Sequence, residues 1–281
     1  MRILKTVTEV RQHLSEERCF GFSIGFVPTM GALHEGHLTL VQKAKEMCDR
    51  VLVSIFVNPK QFSPCEDFEK YPRDLPGDCA LLGKKDVDYV FAPSVEEMWP
   101  LGNQTVVNVE KLSCVLMGKL RPGHFCGVTS VVAKFFNIVQ PDRAFFGEKD
   151  FQQLLIIRRM VEDLAFPVEI IGVPTLRDAD GVASSSRNRL LTPEDRKAAV
   201  IIPESGKAVK SLYDQGERSV NVLCQTARNI IKRETRAVVE AVDLRDIENL
   251  SAVKGKLSVP AVLLLTVRFG TVRLIDQYVL W

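Results

Sequence analysis

Two nearly unbroken apolar runs, FSIGFVP at 22–28 and RVLVSIFV at 50–57, constrain this chain more than any other feature. A strand with one face in water alternates apolar and polar residues; one that is apolar throughout is covered on both faces, as in a parallel sheet. Parallel neighbours need a crossover of a dozen or more residues. The intervening segment supplies one: from Gly36, the residues Leu38, Val41, Ala44 and Cys48 recur at helical spacing, while Lys43, Lys45 and Glu46 take the other face. The three pieces predict a right-handed βαβ unit.

The alternation continues with a helix around 77–85, a strand VDYVFAP at 87–93, a helix at 128–139, a strand RAFFG at 143–147, a helix from Asp150 to Ala165 and a strand VEIIGVP at 168–174. This pattern predicts an α/β fold, a doubly wound parallel sheet with ligands at the carboxyl ends of its strands. After Pro174 the pattern changes, and TLRDADGVASSSRNRLL reads as a polar loop or hinge. Thr192, Pro193, Glu194 and Asp195 then carry the marks of a helix start, and Pro203 is expected to kink or split the helical segment around it. A helix at 219–233 and strands near 237–244, 261–269 and 271–280, the last two joined as a hairpin at Gly270, complete a smaller C-terminal α+β domain. The expected boundary separates 1–175 from 176–281.

Charge narrows the partners. With 37 basic and 35 acidic residues the net charge is +2, which gives no general attraction for nucleic acid or a membrane surface, whereas a small anion needs only local positive charge. The sequence shows no secretory leader and no membrane-spanning apolar run, so a soluble, intracellular protein is expected. Seven scattered cysteines without a CxxC pair (Cys65 among them) read as reduced thiols, not as a disulfide framework or a zinc site.

The first strand ends in PTMGALHEGH, Pro28 to His37. Three readings compete. His34 and His37 lie three residues apart and share a helical face, so a metal pair is open, although no HExxH or cysteine pair accompanies them. Gly31 and Gly36 have the spacing of a phosphate loop, but His37 and Leu38 replace its lysine and hydroxyl residue. The third reading is an anion site of another design: helix-start amides with two imidazoles as donors.

Other strand ends add to that reading. Lys149 and Asp150 in FFGEKDFQQ offer a cation, and Gln152 and Gln153 offer neutral donors; SSSRN at 184–188 offers hydroxyls and a guanidinium. Asn58 and Gln61 follow a strand in FVNPKQF, and Arg121 and His124 occupy a turn for which substrate-facing and structural roles are both open.

Taken in order, PTMGALHEGH, FVNPxQF, YPR, RPGHF, QPDxxxFGEKDxQQ, IGVPTLR and SSRN resemble the pantoate:beta-alanine ligase family, densely over about the first 195 residues and weakly beyond. The resemblance implies a Rossmann-like nucleotidylyl-transferase fold and an ATP-dependent condensation of pantoate with beta-alanine through pantoyl adenylate. It also implies magnesium, a place in coenzyme A biosynthesis, and a cytoplasmic homodimer without nucleic-acid or membrane partners. By the same resemblance Pro28, Met30, Gly31, Ala32, Leu33, His34, Glu35, Gly36 and His37 line the ATP site, with Gly147, Glu148, Lys149, Asp150, Leu176, Ser184, Ser185, Ser186 and Arg187. Catalysis falls to His37, His34, Lys149 and Arg187, and Gln61 and Gln153 contact substrate; metal ligands are not implied. Two positions depart from the pattern: Ser184 stands where Met is common, and Lys60 interrupts NPMQF. The alternatives are another nucleotidylyl transferase of the same fold and a nucleotide-binding regulator without chemistry.

Overall fold

The computed structural model describes residues 1–62, 68, 69 and 71–281; Cys65 lies outside them. They form two compact units, one of residues 1–148 and 152–174, the other of residues 149–151 and 175–281.

In the first unit the order is β1 (Arg2–Leu4), α1 (Val7–Cys19), β2 (Ile24–Thr29), α2 (Glu35–Met47), β3 (Arg50–Ile55), α3 (Leu75–Gly83) and β4 (Tyr89–Phe91). Three single-turn helices follow, α4 (Val95–Met98), α5 (Glu110–Ser113) and α6 (Met117–Leu120), then α7 (His124–Val139), β5 (Arg143–Gly147), α8 (Phe151–Asp163) and β6 (Glu169–Val173). Among the described residues the strands pair in the order β1-β4-β3-β2-β5-β6, all parallel. Successive strand residues feed opposite layers. Phe26 and Leu52 join a core with Leu14 of α1 and Val132 and Phe135 of α7, while Val27, Val51 and Val53 join another with Val41 and Ala44 of α2. Coverage on both faces is why the runs carry no polar alternation.

From β2 the chain winds outward through β3 and β4, then returns to place β5 on the other side of β2, with Gly25 opposite Arg143. This reversal makes the sheet doubly wound and Rossmann-like and opens a crevice at the carboxyl ends of β2 and β5. Leaving β2, the chain enters the Met30–His37 turn; leaving β5, it reaches Gly147 and Glu148.

In the second unit, β7 (Ala237–Asp246), β8 (Ala261–Phe269) and β9 (Val272–Leu280) form an antiparallel sheet, with Gly270 and Thr271 turning the last hairpin. Packed with it are α9 (Pro193–Ala198), α10 (Ile201–Asp214) and α11 (Val220–Ile231), around Ile202, Val209, Leu223, Leu263 and Phe269. Thr192 caps α9 by accepting from the Asp195 amide at 3.1 Å. The expected break precedes Pro203, which sits in the first turn of α10, where its missing N–H leaves no helical bond unmade.

One expectation needs correction: the helix of the RPGH turn starts at His124, not 128. The polar stretch after Pro174 is a loop, as expected, tied within itself: Arg177 bridges to Ala183, the Ser184 amide reaches the Leu176 carbonyl at 2.9 Å, and Ser186–Leu190 forms a 3-10 turn. Among the described residues no helix is long and apolar enough to cross a membrane. The described cysteines are free thiols, of which Cys48 and Cys224 are buried.

Candidate active site

The two histidines build a helix start. His34 is the N-cap of α2, with extended backbone (φ −142°, ψ 174°), and its Nδ1 accepts from the Gly36 amide at 3.1 Å. His37 answers: its Nδ1 accepts from the His34 amide at 3.3 Å. This reciprocal arrangement is a capping box made of imidazoles. The rings lie 4.2 Å apart between centroids. Because both Nδ1 atoms face backbone N–H donors, each neutral ring carries its hydrogen on Nε2. The Gly36 amide bonds to His34 and the His37 amide to the His34 carbonyl at 2.8 Å. The Gly36 and His37 amides, which the sequence suggested as anion donors, are thus engaged within the turn itself.

Upstream of the cap, Thr29 closes β2 by donating to the Ser54 carbonyl at 2.6 Å and accepting from the Gly31 amide at 3.2 Å. Gly31 and Ala32 then take left-handed backbone, φ 80° and 52°. Glu35 points into solvent, whereas Leu33 is buried.

A second group of polar side chains gathers on Asn58, which is 1% exposed. Its Nδ2 donates to Gln61 Oε1 at 3.0 Å and to the Gly127 carbonyl at 3.1 Å, and its Oδ1 accepts from Trp99 Nε1 at 3.1 Å. Gln61 Nε2 is thereby aimed at Met30 Sδ, 3.1 Å away. The close packing of α7 on this loop requires Gly127, where a Cβ would lie 2.2 Å from the Lys60 carbonyl oxygen. His124 Nδ1 lies 2.9 Å from the Gln61 carbonyl, and Arg121 Nη1 3.2 Å from His124 Nε2. A carbonyl only accepts and a guanidinium only donates, so His124 carries its hydrogen on Nδ1 and positions Gln61 from behind. Lys60 points elsewhere, its ammonium 3.9 Å from the centre of the Trp99 ring and 2.5 Å from Asn103 Oδ1.

Adjacent glutamines part ways. Gln152 is buried and fully engaged, donating to the Leu112 and Val115 carbonyls at 2.9 and 2.8 Å and accepting from the Met117 amide at 3.1 Å. It anchors the 112–117 segment and is not the neutral substrate donor suggested by the sequence. Gln153 is half-buried.

In the second unit, Lys149 shares a crevice with Ser185, Arg187, Asn188, Arg273 and Asp276. Burial pushes the Lys149 ammonium below the usual lysine range; Asp150 opposes that shift, the like charge of Arg187 adds to it, and Asp276 opposes it. Asp276, 2% exposed, receives Arg177 in a two-pronged pair at 2.7 and 2.9 Å. Arg196 reaches Asp180 at 2.7 Å and Asp178 at 2.8 Å. The hydroxyl of Ser184 donates to Asp178, and that of Ser185 accepts from the Arg187 amide at 3.3 Å. The half-buried Leu176 and Ser186 flank this ion-paired stretch, Arg187 and Asp150 are exposed, and in the first unit Gly147 ends β5 and Glu148 follows it.

Sequence reasoning missed Asp78. Buried in α3, it accepts from the Ala32 amide at 2.9 Å and the Leu33 amide at 2.7 Å.

A doubly wound parallel sheet with an imidazole-capped His-x-Gly-His turn at its switch point defines a Rossmann-like α/β protein with its candidate site at the strand ends. The model of the pantoate-beta-alanine ligase family matches residues 2–279, and the chain belongs to that family. It is 78% identical over 280 residues to the pantothenate synthetase of Bartonella bacilliformis, covering 100% of both chains, and 52% identical to that of Brucella anthropi, covering 100% of this chain and 97% of the relative. The crystal structure of pantothenate synthetase from Thermus thermophilus matches with a TM-score of 0.94 at 45% identity, covering 100% of each chain. A pantoate-beta-alanine ligase from Francisella tularensis, crystallised with beta-gamma ATP and beta-alanine, matches with a TM-score of 0.79 at 33% identity, covering 99% of this chain and 97% of that one.

Proposed function

We propose that this chain is an AMP-forming ligase that condenses pantoate with beta-alanine to pantothenate in coenzyme A biosynthesis. The observation that carries the proposal, within a family of this activity, is the imidazole capping pair, whose Nδ1 atoms are engaged and whose Nε2 atoms carry the hydrogens.

A carboxylate resists attack by an amine because its charge repels the nucleophile and oxide leaves poorly. In the first step a pantoate carboxylate oxygen attacks the α-phosphorus of ATP, the bond to the bridging oxygen breaks, and pyrophosphate leaves. In the second, the neutral amine of beta-alanine attacks the acyl carbon, an amide forms, AMP leaves and the amine loses its proton. His34 and His37 donate through Nε2, and Lys149 and Arg187 add positive charge, where phosphoryl oxygens gain negative charge. Pro28, Met30 to His37, Gly147 to Asp150, Leu176 and Ser184 to Arg187 contact ATP. Gln61 and Gln153 contact pantoate, and Gln61 beta-alanine as well.

Magnesium bound with the nucleotide would supply positive charge against its phosphates, and Asp150 would be the residue to hold it. Among the described residues no cluster of three or more His, Cys, Asp or Glu is placed to hold a metal. The enzyme works as a cytoplasmic homodimer; light scattering giving a monomer mass would remove the dimer.

Pantoate-dependent exchange of labelled pyrophosphate into ATP tests adenylation, and AMP release that requires beta-alanine tests amide formation. Exchange without amine-dependent AMP release points to another nucleotidylyl transferase. ATP binding with no exchange points to a regulator.

A further inference from the structure

We propose that Asp78 is a positioning residue for nucleotide use, holding the Gly31–Leu33 turn in the conformation that delivers His34 to the start of α2. The inference rests on the ATP-site reading above. A side chain 3% exposed with a carboxylate is costly to bury unless donors surround it. Here the donors are consecutive backbone amides, Ala32 on Oδ2 at 2.9 Å and Leu33 on Oδ1 at 2.7 Å, so both oxygens are bonded to one short stretch of chain.

That stretch needs a clamp. Ala32 sits at φ 52°, a region that non-glycine residues enter at a cost, directly after Gly31 at φ 80°. At Gly31 there is no room for a side chain: a Cβ would lie 2.9 Å from Asp78 Oδ2 and 3.1 Å from Ile55 Cγ2. Met30 and Gly31 also border a cavity of about 370 Å³, together with Phe56, Leu75 and Asp78, while Ala32 and Leu33 are buried. Hydrogen bonds to Asp78 hold the backbone of the turn beside that cavity.

The clamp is itself firmly mounted. Asp74 caps α3 by accepting from the Gly77 amide at 3.0 Å, and the Asp78 amide donates to the Asp74 carbonyl at 2.9 Å. Immediately beyond the clamped amides, the imidazole cap begins at His34. Loosening Ala32 and Leu33 therefore changes where His34 enters the helix, and with it the direction of both Nε2 donors.

Asp78→Asn separates positioning from bulk, because its amide keeps the shape but turns an N–H toward one backbone donor. In the full-length protein the expected result is a rise of roughly tenfold to a hundredfold in the KM for ATP and in the ATP dissociation constant measured by calorimetry, with the KM for pantoate within about twofold. Ala32→Val reaches the same turn without touching the carboxylate, since a β-branched residue is strained at that φ, and it is expected to show the same ATP-selective loss. An Asp78→Asn protein that melts cooperatively and binds ATP as the parent does overturns the inference, as does an equal rise in both KM values. If Asp78→Asn does not fold, Ala32→Val decides by the same two criteria. A parent that binds ATP but makes no pantoate-dependent AMP removes the ligase reading, while the calorimetric comparison still decides the role of Asp78.

Discussion

The histidine turn of the first unit and the lysine crevice of the second are built by opposite means. His34 and His37 are oriented by backbone amides within their own turn, so a few residues of sequence fix both rings. Around Lys149, by contrast, the groups come from separate stretches of chain: Ser185 to Asn188 from the polar segment and Arg273 to Asp276 from β9. A local device needs only helix geometry, whereas a cationic group assembled from afar must be held by ion pairs, because like charges such as Lys149 and Arg187 repel.

The largest effect that can break this contrast is on stability. Asp276 is buried and its partner Arg177 donates to both carboxylate oxygens. Arg177→Ala removes the guanidinium from both oxygens of that carboxylate, leaving it hydrogen bonds from the Gln277 amide at 2.8 Å and the Tyr278 hydroxyl at 3.1 Å, and is expected to destabilise the second unit by up to about 3–5 kcal/mol in urea melts. A loss within about 1 kcal/mol, the range of exposed pairs, would mean that the crevice is not held by this pair.

Next comes catalysis. His37→Ala and Lys149→Ala are each expected to lose about 3 kcal/mol of transition-state stabilisation, roughly 10²–10³ in turnover, while still melting cooperatively, His37→Ala with a further cost of about 1 kcal/mol in stability for the lost cap; activity within a few-fold of the parent contradicts the assignment. Only Lys149 should shape the alkaline side of the pH profile. Burial lowers its pKa, so the useful ammonium is lost at a lower pH than for an exposed lysine. Turnover should fall as pH rises through that value, and Lys149→Arg, which stays charged, should push the limb higher. Stability carries the opposite sign: between the lowered folded pKa and the unfolded value the unfolded chain holds more protons, so the parent gains stability relative to Lys149→Met as pH rises. An unchanged alkaline limb in Lys149→Arg would assign the titration elsewhere.

The smallest effect sharpens the comparison at its edge. Glu240 pairs with Arg268 at 2.9 Å and with Arg273, which lines the Lys149 crevice. Because the arginines are partly in water, Glu240→Ala is expected to cost no more than about 1 kcal/mol and to leave the ATP KM nearly unchanged. A clear rise in that KM would make Glu240 part of the crevice's support.

Legibility followed range. The apolar runs of β2 and β3 and the stripe on α2 are readable because strand and helix periods are local. β1 and α1 give no comparable signal, although Thr6 and Glu9 carry a capping-box signature, because α1 buries only Val10 and Leu14 and its apolar stripe is thin. Gln152 and Gln153 look alike in sequence. Helix phase buries the first among the 112–117 carbonyls and leaves the second half-exposed.

By itself the sequence determined the parallel sheet, the imidazole turn at its strand end and the family, because hydrophobic period, capping residues and motif spacing all act within a few residues or in simple order along the chain. Tertiary structure decided which polar groups are engaged: Asp78 bonds to amides more than forty residues upstream, Asn58 bonds to Gly127, and Asp276 receives Arg177. Such pairings form where folding removes water from buried polar groups, and the need to satisfy those groups selects partners by position in space, which one-dimensional spacing does not encode.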